Sequence, residues 1–241
     1  MKKLSITLFA MLFMVGFAYA QNDASVSHGG DGNEALILQV GDDNDASVYG
    51  NQYANDNSHT QTQFGDDNSA SARIFSNNML GLQTQIGKGN SSSINQAMGN
   101  ANAVNFQLGN NNSADIHQSS GNGSSALVAQ FGDDGDVGIL QSGDHNSINV
   151  LQKGNDNNVG YNHHSSPGIV QSGSGNAFNV NQFGNGNSAG GEQSGSYNTA
   201  NINQWGNGDI ANISHSGSNN SAHVFQMGGF GNGLPSNGTI N

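Results

Sequence analysis

The chain has 241 residues and a formal net charge of −12, contains no cysteine, and is rich in glycine, asparagine, serine and glutamine. The acidic excess argues against nucleic acid or an anionic membrane as a partner, and the lack of cysteine excludes disulfide bonds. Composition alone would favour disorder, so order must come from the pattern of the residues.

The first twenty residues differ from the rest of the chain. Two lysines precede an apolar run from Leu4 to Phe17, and small residues stand at the positions that a signal peptidase reads, Ala18 and Ala20. The run is too short for a membrane span. We therefore predict that residues 1–20 are a signal peptide, removed on export, and that residues 21–27 form a short N-terminal segment.

A repeat of about eleven residues fills the chain from residue 28 to residue 228. It is marked by fifteen glutamines: Gln39, Gln52, Gln63, Gln85, Gln96, Gln107, Gln118, Gln130, Gln141, Gln152, Gln171, Gln182, Gln193, Gln204 and Gln226. His28, His163 and His215 fall in the same register and Ile74 fills one gap, giving nineteen positions. A short period held over this length predicts stacked small units and not a globular domain with one core.

Each unit has the spacing of a strand followed by a turn. Before Gln152, for example, Val150, Ile148 and Asn146 follow one another at steps of two, the period of a β-strand. A glycine usually stands two residues after the glutamine, where it can adopt the positive φ of a tight turn. The sequence thus predicts an all-β solenoid with two short strands per rung of about 22 residues, about nine rungs and two facing parallel sheets.

Buried glutamine and asparagine would be costly unless their amides are satisfied. In a stack, each amide can donate to the equivalent residue on one neighbouring rung and accept from the other, as in cross-β fibres. We predict ladders formed by Gln39, Gln63, Gln85, Gln107, Gln130, Gln141, Gln152, Gln171, Gln182, Gln193, Gln204 and Gln226, and by Asn44, Asn68, Asn90, Asn112, Asn146, Asn157, Asn176, Asn187, Asn198 and Asn220.

The ends of the stack suggest its use. A monomeric solenoid needs caps over its terminal rungs, and neither the short N-terminal segment nor the Gly-rich tail, residues 229–241, has a helical pattern or an apolar cap. Open ends with matching ladders would add to one another and form a fibre.

The repeat resembles that of the curlin family, the subunits of the bacterial extracellular amyloid called curli. Gln107 to Gln118 and Gln182 to Gln193 match its Gln-x-Gly-x-x-Asn-x-Ala-x-x-x-Gln unit closely. The resemblance implies a fibre subunit secreted through the outer membrane, with a nucleating subunit and a secretion apparatus as partners. The nucleating type of subunit has a basic final repeat, whereas no lysine or arginine follows Lys153 here, which favours the fibre-building role and leaves the nucleating role as the alternative.

No motif in the chain indicates catalysis or a cofactor. Gly-x-Gly-x-x-Ala occurs from Gly30, Gly184 and Gly206, but nucleotide binding needs a helix after the motif, and none is predicted. His163 and His164 would face opposite sides of a strand, which argues against a metal site. We predict no enzyme activity, cofactor, metal or small-molecule substrate, although calcium at the acidic turns stays open.

Alternatives to the fibre are an ice-binding solenoid, for which the chain has too few threonines, and a capped monomeric adhesin, with Leu234 and Pro235 as edge blockers. The register of residues 74–106 is ambiguous, because Asn102, Val104 and Phe106 form a second apolar face.

Two surface features complete the expectations. Phe183, Trp205 and Met227 are spaced by 22 and should stack as an exposed stripe. Acidic pairs in the turns, Asp42 with Asp43, Asp66 with Asp67 and Asp133 with Asp134, should share one edge of the stack.

Overall fold

A computed structural model describes residues 21–97, 99–160 and 168–228, together with the backbone of residues 237–240. These residues form strands and turns and contain no helix, so none of them belongs to a helix that could span a membrane. The strands are β1 Asp23–His28, β2 Glu34–Val40, β3 Asp45–Gly50, β4 Ser58–Phe64, β5 Ser69–Ile74, β6 Leu80–Ile86, β7 Ser91–Gln96, β8 Asn102–Leu108, β9 Ser113–Ser120, β10 Ser125–Phe131, β11 Asp136–Ser142, β12 Ser147–Lys153, β13 Asn158–Val159, β14 Ile169–Ser174, β15 Ala177–Phe183, β16 Ser188–Ser196, β17 Thr199–Trp205, β18 Ile210–Ser218, β19 Ser221–Met227 and β20 Asn237–Ile240.

The strands alternate between two sheets in which every pair is parallel. Sheet A has the order β1-β3-β5-β7-β9-β11-β13-β16-β18-β20, with β14 also between β11 and β16, and sheet B has the order β2-β4-β6-β8-β10-β12-β15-β17-β19. One strand from each sheet makes a rung, and nine complete rungs are present. The predicted β-solenoid with two facing parallel sheets is confirmed.

The structure corrects two positions of the predicted repeat. In sheet A, Gly50 pairs with His28 on one side and Ile74 on the other, so Gly50, and not Gln52, stands in the glutamine position of β3. Gln52 lies exposed in the following turn. The two extra residues of this unit lengthen the turn and leave the strand unchanged. An insertion of two residues keeps the alternation of inward and outward side chains, so the sequence pattern could not show whether the strand or the turn contains them.

The second correction concerns the seventh rung. His163 and His164 lie outside the described residues, and the glutamine position that His163 was expected to fill holds Gln171, which pairs with Gln141 below and Gln193 above. Two strands pair with β11 on this rung: β13, which ends at Val159, and β14, which begins at Ile169. Within the described residues, the glutamine positions number nine per sheet, or eighteen, where nineteen were predicted.

The ambiguous register of residues 74–106 follows the rest of the repeat. Ala103, Asn105 and Gln107 of β8 point inward and are buried, whereas Val104 and Phe106 point outward. Met79 and Ala101 are buried in the positions that asparagine takes elsewhere. The common register is the more stable one because shifting β8 by one residue would remove Gln107 from its ladder.

Glycines form a stacked column at the turns that lead from sheet B to sheet A. Gly109 has a φ of 132°, in the region that favours glycine, and a Cβ there would overlap the carbonyl oxygen of Gly132 on the next rung. A second positive-φ position follows two residues later and holds Asp43, Asn111 or Asp134, residue types that tolerate this conformation. Backbone geometry and close stacking both account for the glycine in each repeat.

The interior changes in character along the stack. A small apolar cluster at the N-terminal end contains Val48, Ile74 and Met79, and a larger one runs from Ile94 to Val224. Rungs 2 to 4 of sheet B carry buried polar residues, Gln61, Gln83 and Asn105, in the column where other rungs have isoleucine or valine. His59 is also buried and stands in the neighbouring column, beside Ala35 and Gly81, and Ser92 lies opposite in sheet A.

Candidate functional site: amide ladders and the ends of the stack

An unbroken glutamine ladder runs through all nine rungs of sheet B. Each Nε2 donates to the Oε1 of the glutamine on the next rung at 2.9–3.0 Å. The members are Gln39, Gln63, Gln85, Gln107, Gln130, Gln152, Gln182, Gln204 and Gln226. The same Nε2 atoms also donate to backbone carbonyls, as from Gln107 to Ser91 at 2.9 Å. The buried amides are thus satisfied along the axis and across the turn.

Sheet A holds a shorter ladder. Gln96, Gln118, Gln141, Gln171 and Gln193 are linked in the same direction at 2.8–3.1 Å. The next member is His215, whose Nδ1 lies 3.4 Å from the Nε2 of Gln193. Toward the N-terminus, Ile74 and Gly50 take the position, so the ladder begins only at the fourth rung.

Asparagines at the start of each strand form further ladders along the two edges. On one edge, Asn44, Asn68, Asn90 and Asn112 each donate from Nδ2 to the Oδ1 of the asparagine below at 2.9–3.1 Å. Gly135 interrupts this edge, which resumes with Asn157 and Asn187. Asn146, Asn176, Asn198 and Asn220 occupy the other edge, where the backbone N–H of Asn220 donates to the Oδ1 of Asn198 at 3.0 Å.

The turns contain a ladder that sequence reasoning missed. The residue after the turn glycine accepts, through its side-chain oxygen, the backbone N–H of the equivalent residue on the rung before. Asn110 donates in this way to Asp133 at 2.8 Å, and Asn185 to Asn207 at 2.8 Å. The frequent Asn or Asp at this position was visible in the sequence, but nothing there indicated which group it would contact.

The acidic turn residues lie on one edge, as their spacing suggested. Asp42 and Asp66 are on consecutive rungs, and the backbone N–H of Asp42 donates to Oδ1 of Asp66 at 3.1 Å. Lys88 follows on the next rung and forms an ion pair with Asp67, with Nζ 3.1 Å from Oδ2. Its hydrogen bond to Asp67 and the nearby carboxylates raise the pKa of Lys88. The edge is therefore acidic with one compensating cation.

His59 is a buried titratable group among the polar residues of rungs 2 to 4. Its ring occupies the space that a side chain at Gly81, on the next rung, would need. Its Nε2 lies 3.1 Å from the Oε1 of Gln96. Burial lowers the pKa of His59 to about 4; the hydrogen bond to Gln96 opposes this shift, and His28 reinforces it. The pKa of His28 is also lowered by burial. Both imidazoles are therefore neutral at pH 7.

The motifs weighed for ligands lie in turns between strands. These motifs begin at Gly30, Gly184 and Gly206, which lie between one strand and the next. No helix follows any of them in the described residues. Across that same part of the chain, no three His, Cys, Asp or Glu side chains are grouped so that they could hold a metal ion.

The ends of the stack expose strand edges. In sheet B, β2 and β19 are the terminal strands, and each pairs on one side only within the described residues. In sheet A, β1 is terminal at the N-terminal end, and β20 adds a strand on a tenth rung beyond β18, in register through Ile213 and Ile240. Backbone donors and acceptors of these edges are therefore presented along the axis.

Comparison with known proteins finds one family in the chain. Residues 21–49 and 106–132 match the model of the curlin associated repeat. The first stretch covers β1, β2 and most of β3, and the second runs from the end of β8 through β10. No curated protein matches the chain.

Proposed function

The chain carries the curlin associated repeat, and we propose that its mature form is a structural subunit of an extracellular, curli-like amyloid fibre on the bacterial surface. In this proposal it serves adhesion and biofilm matrix and grows end to end through its open rungs. A nucleating subunit and an outer-membrane secretion apparatus would be its partners, and residues 1–20 would direct export.

The observation that carries the proposal is the match between the two ends of the stack. The N-terminal end offers the edges of β1 and β2, and the C-terminal end offers those of β19 and β20. The strands run in the same direction at both ends, and the sheet B column holds glutamine at both, Gln39 at one end and Gln226 at the other, so a second copy can continue this ladder. Continuing it would extend the backbone pairing and the glutamine column into the next molecule, which is the arrangement of a cross-β fibre.

A capped monomer is the competing function. Leu234 and Pro235, the residues considered as edge blockers, lie outside the described residues. Within the described residues, strand β20 continues sheet A beyond β18 and is paired on one side only, which supports growth and not closure.

Seeded growth tests the proposal. Purified residues 21–241 should form unbranched fibres with a lag, and fragments of those fibres should remove the lag because they supply open ends. Electron microscopy and light scattering measure fibre formation with and without the added fragments. A monodisperse monomer that ignores the fragments for days at high concentration would contradict the proposed function.

The glutamine ladder should set the rate of elongation. Replacing Gln204 and Gln226 with leucine keeps the side-chain volume but leaves one N–H of the Gln182 amide without its ladder acceptor, while the other still donates to the carbonyl of Asn158. An unsatisfied buried donor costs about 1–3 kcal/mol, so seeded elongation should slow by about 5- to 150-fold. The matched control replaces Gln21 and Gln52, which are exposed and outside the ladder. Equal rates for the two double variants would mean that backbone pairing alone drives growth.

The acidic edge should delay assembly. Replacing Asp42, Asp43, Asp66 and Asp67 with asparagine removes repulsion of under about 1 kcal/mol per pair of carboxylates, so the lag should shorten, as it should for the unaltered chain at high salt. Lys88→Gln, which removes the cation paired with Asp67, should lengthen the lag. If neither change moves the lag, the edge is only a solvated surface, and a lag shortened by calcium alone would indicate a metal site there.

A further inference from the structure

The outer surfaces of the two sheets differ sharply. On rungs 1 to 4 the central outward residue of sheet A is a serine, at Ser25, Ser47, Ser71 and Ser93. The outward side chains of sheet B on rungs 1 to 5, which we call the apolar face, are mostly aliphatic or aromatic and include Leu36, Leu82, Val104, Leu108, Leu127 and Phe131. Leu36, Leu82, Leu108 and Leu127 are 36–51% exposed.

The apolar face continues as a single column to the C-terminal end of the stack. The predicted stripe is present, with Phe183, Trp205 and Met227 in register and the rings of Phe183 and Trp205 5.2 Å apart. The same column begins at Val40 and is interrupted only by Lys153. An exposed apolar surface of this extent usually marks a contact surface.

Charge separates this face from the rest of the molecule. Among the outward residues of the nine sheet B strands, the only acidic residue is Glu34 and the only lysine or arginine is Lys153, and neither lies on rungs 2 to 5. The acidic pairs lie on the turn edge, and sheet A carries Asp45, Asp115 and Glu192 on its outer side. Two copies of this acidic chain would therefore repel each other across most other surfaces.

The size and shape of the whole outer surface of sheet B fit a second copy. Its nine strands of seven residues make a surface of roughly 23 by 43 Å, or about 1,000 Å². A stable interface needs about 800 Å² per partner, so the contact includes the apolar face and the column that continues from it to Met227. The outward columns repeat at the spacing of the rungs, so the complementary surface is another face of the same spacing. A two-fold axis parallel to the stack brings each rung against the same rung of the partner.

We propose that the apolar face of sheet B packs against the same face of a second copy, so that two stacks associate side by side. This inference rests on the proposed fibre, in which the face continues from one subunit to the next. On rungs 1 to 5 the packed faces form a dry interface between paired sheets, and the serine-rich side of sheet A stays in water. Each fibre then contains two copies of the chain for every nine or ten rungs of length.

Mass per unit length, measured by scanning transmission electron microscopy, tests the pairing. Fibres of residues 21–241 should contain two chains per about 43–48 Å of length. The double variant L82E and L127E places charges on rungs 3 and 5 of the apolar face and should halve that value. The matched control, S71E and S113E, places the same charges on the same rungs of sheet A and should keep two chains.

The outcomes separate this inference from the proposed function. If residues 21–241 form no fibres, the proposed function fails. Fibres with one chain per repeat, or an unchanged mass per length in both L82E/L127E and the neutral variant L82Q/L127Q, overturn the pairing alone. If the charged variant L82E/L127E forms no fibres, the mass per length of the neutral variant L82Q/L127Q tests the pairing instead. Single fibres, together with monomers that sediment with phosphatidylcholine vesicles unless Leu82 and Leu127 are replaced, would assign the face to lipid instead.

Discussion

Replacing Gly109 with alanine should nearly abolish fibre formation. The new Cβ would overlap the carbonyl oxygen of Gly132 on the next rung, and the φ of 132° is unfavourable for any residue with a side chain. Strained backbone and steric overlap together should cost at least about 3 kcal/mol. Fibre yield and the denaturant midpoint of the fibres measure the effect.

Gly186→Ala is the matched control. Gly186 also has a positive φ, of 66°, but a Cβ there would meet nothing within 4 Å. We expect a cost of about 1 kcal/mol, from the backbone alone. Similar effects for the two variants would show that conformation, and not the close stacking of the glycine column, explains the repeated glycine.

Acidification should loosen the N-terminal rungs. The folded pKa of His59, about 4, lies below the ordinary value of 6.5 because burial disfavours the charged ring. The unfolded chain therefore binds the proton more readily, and stability is greatest above pH 6.5 and falls as the pH drops from 6.5 toward 4. The loss between pH 7.5 and pH 5 should be about 2 kcal/mol.

Hydrogen exchange at the two pH values, corrected for intrinsic rates, locates this effect. Amides of β4 and β6 should lose protection at pH 5, and those of β15 and β17 should not. His59→Leu should remove most of the loss, and His223→Leu, which changes an exposed histidine on β19, should leave it. His28 is the titratable neighbour of His59, so a loss that persists in His59→Leu would assign the sensitivity to His28. A uniform loss along the stack would contradict a local origin.

The sequence allowed the fold to be predicted because each repeat repeats the same physical constraints. The spacing of two before Gln152 fixes a strand, and the glycine after the glutamine fixes a turn. Stacking multiplies these weak signals. The same logic placed Gln39, Gln107 and Gln204 in one column, where the structure links neighbouring rungs by hydrogen bonds.

Other features depend on contacts that a repeat pattern does not contain. Gln52 matches the residue type of the column, but its unit has two extra residues, and only the pairing of Gly50 with Ile74 places them in the turn. Gln61 was visible as a departure from isoleucine or valine, yet the contact of its neighbour His59 with Gln96 joins rungs 2 and 4 of different sheets. The breadth of the apolar face required the pairing of β6, β8 and β10.

The axial repeat of the fibre tests the central claim most directly. If subunits add end to end as solenoids, cryo-electron microscopy of fibres of residues 21–241 should show strands about 4.8 Å apart and a chain repeat of about 43–48 Å, nine or ten rungs. The Gln39 column of one molecule should continue the Gln226 column of the next. A chain repeat of about 4.8 Å, with each molecule flattened into a single layer, would contradict the solenoid fibre, as would the absence of any fibre.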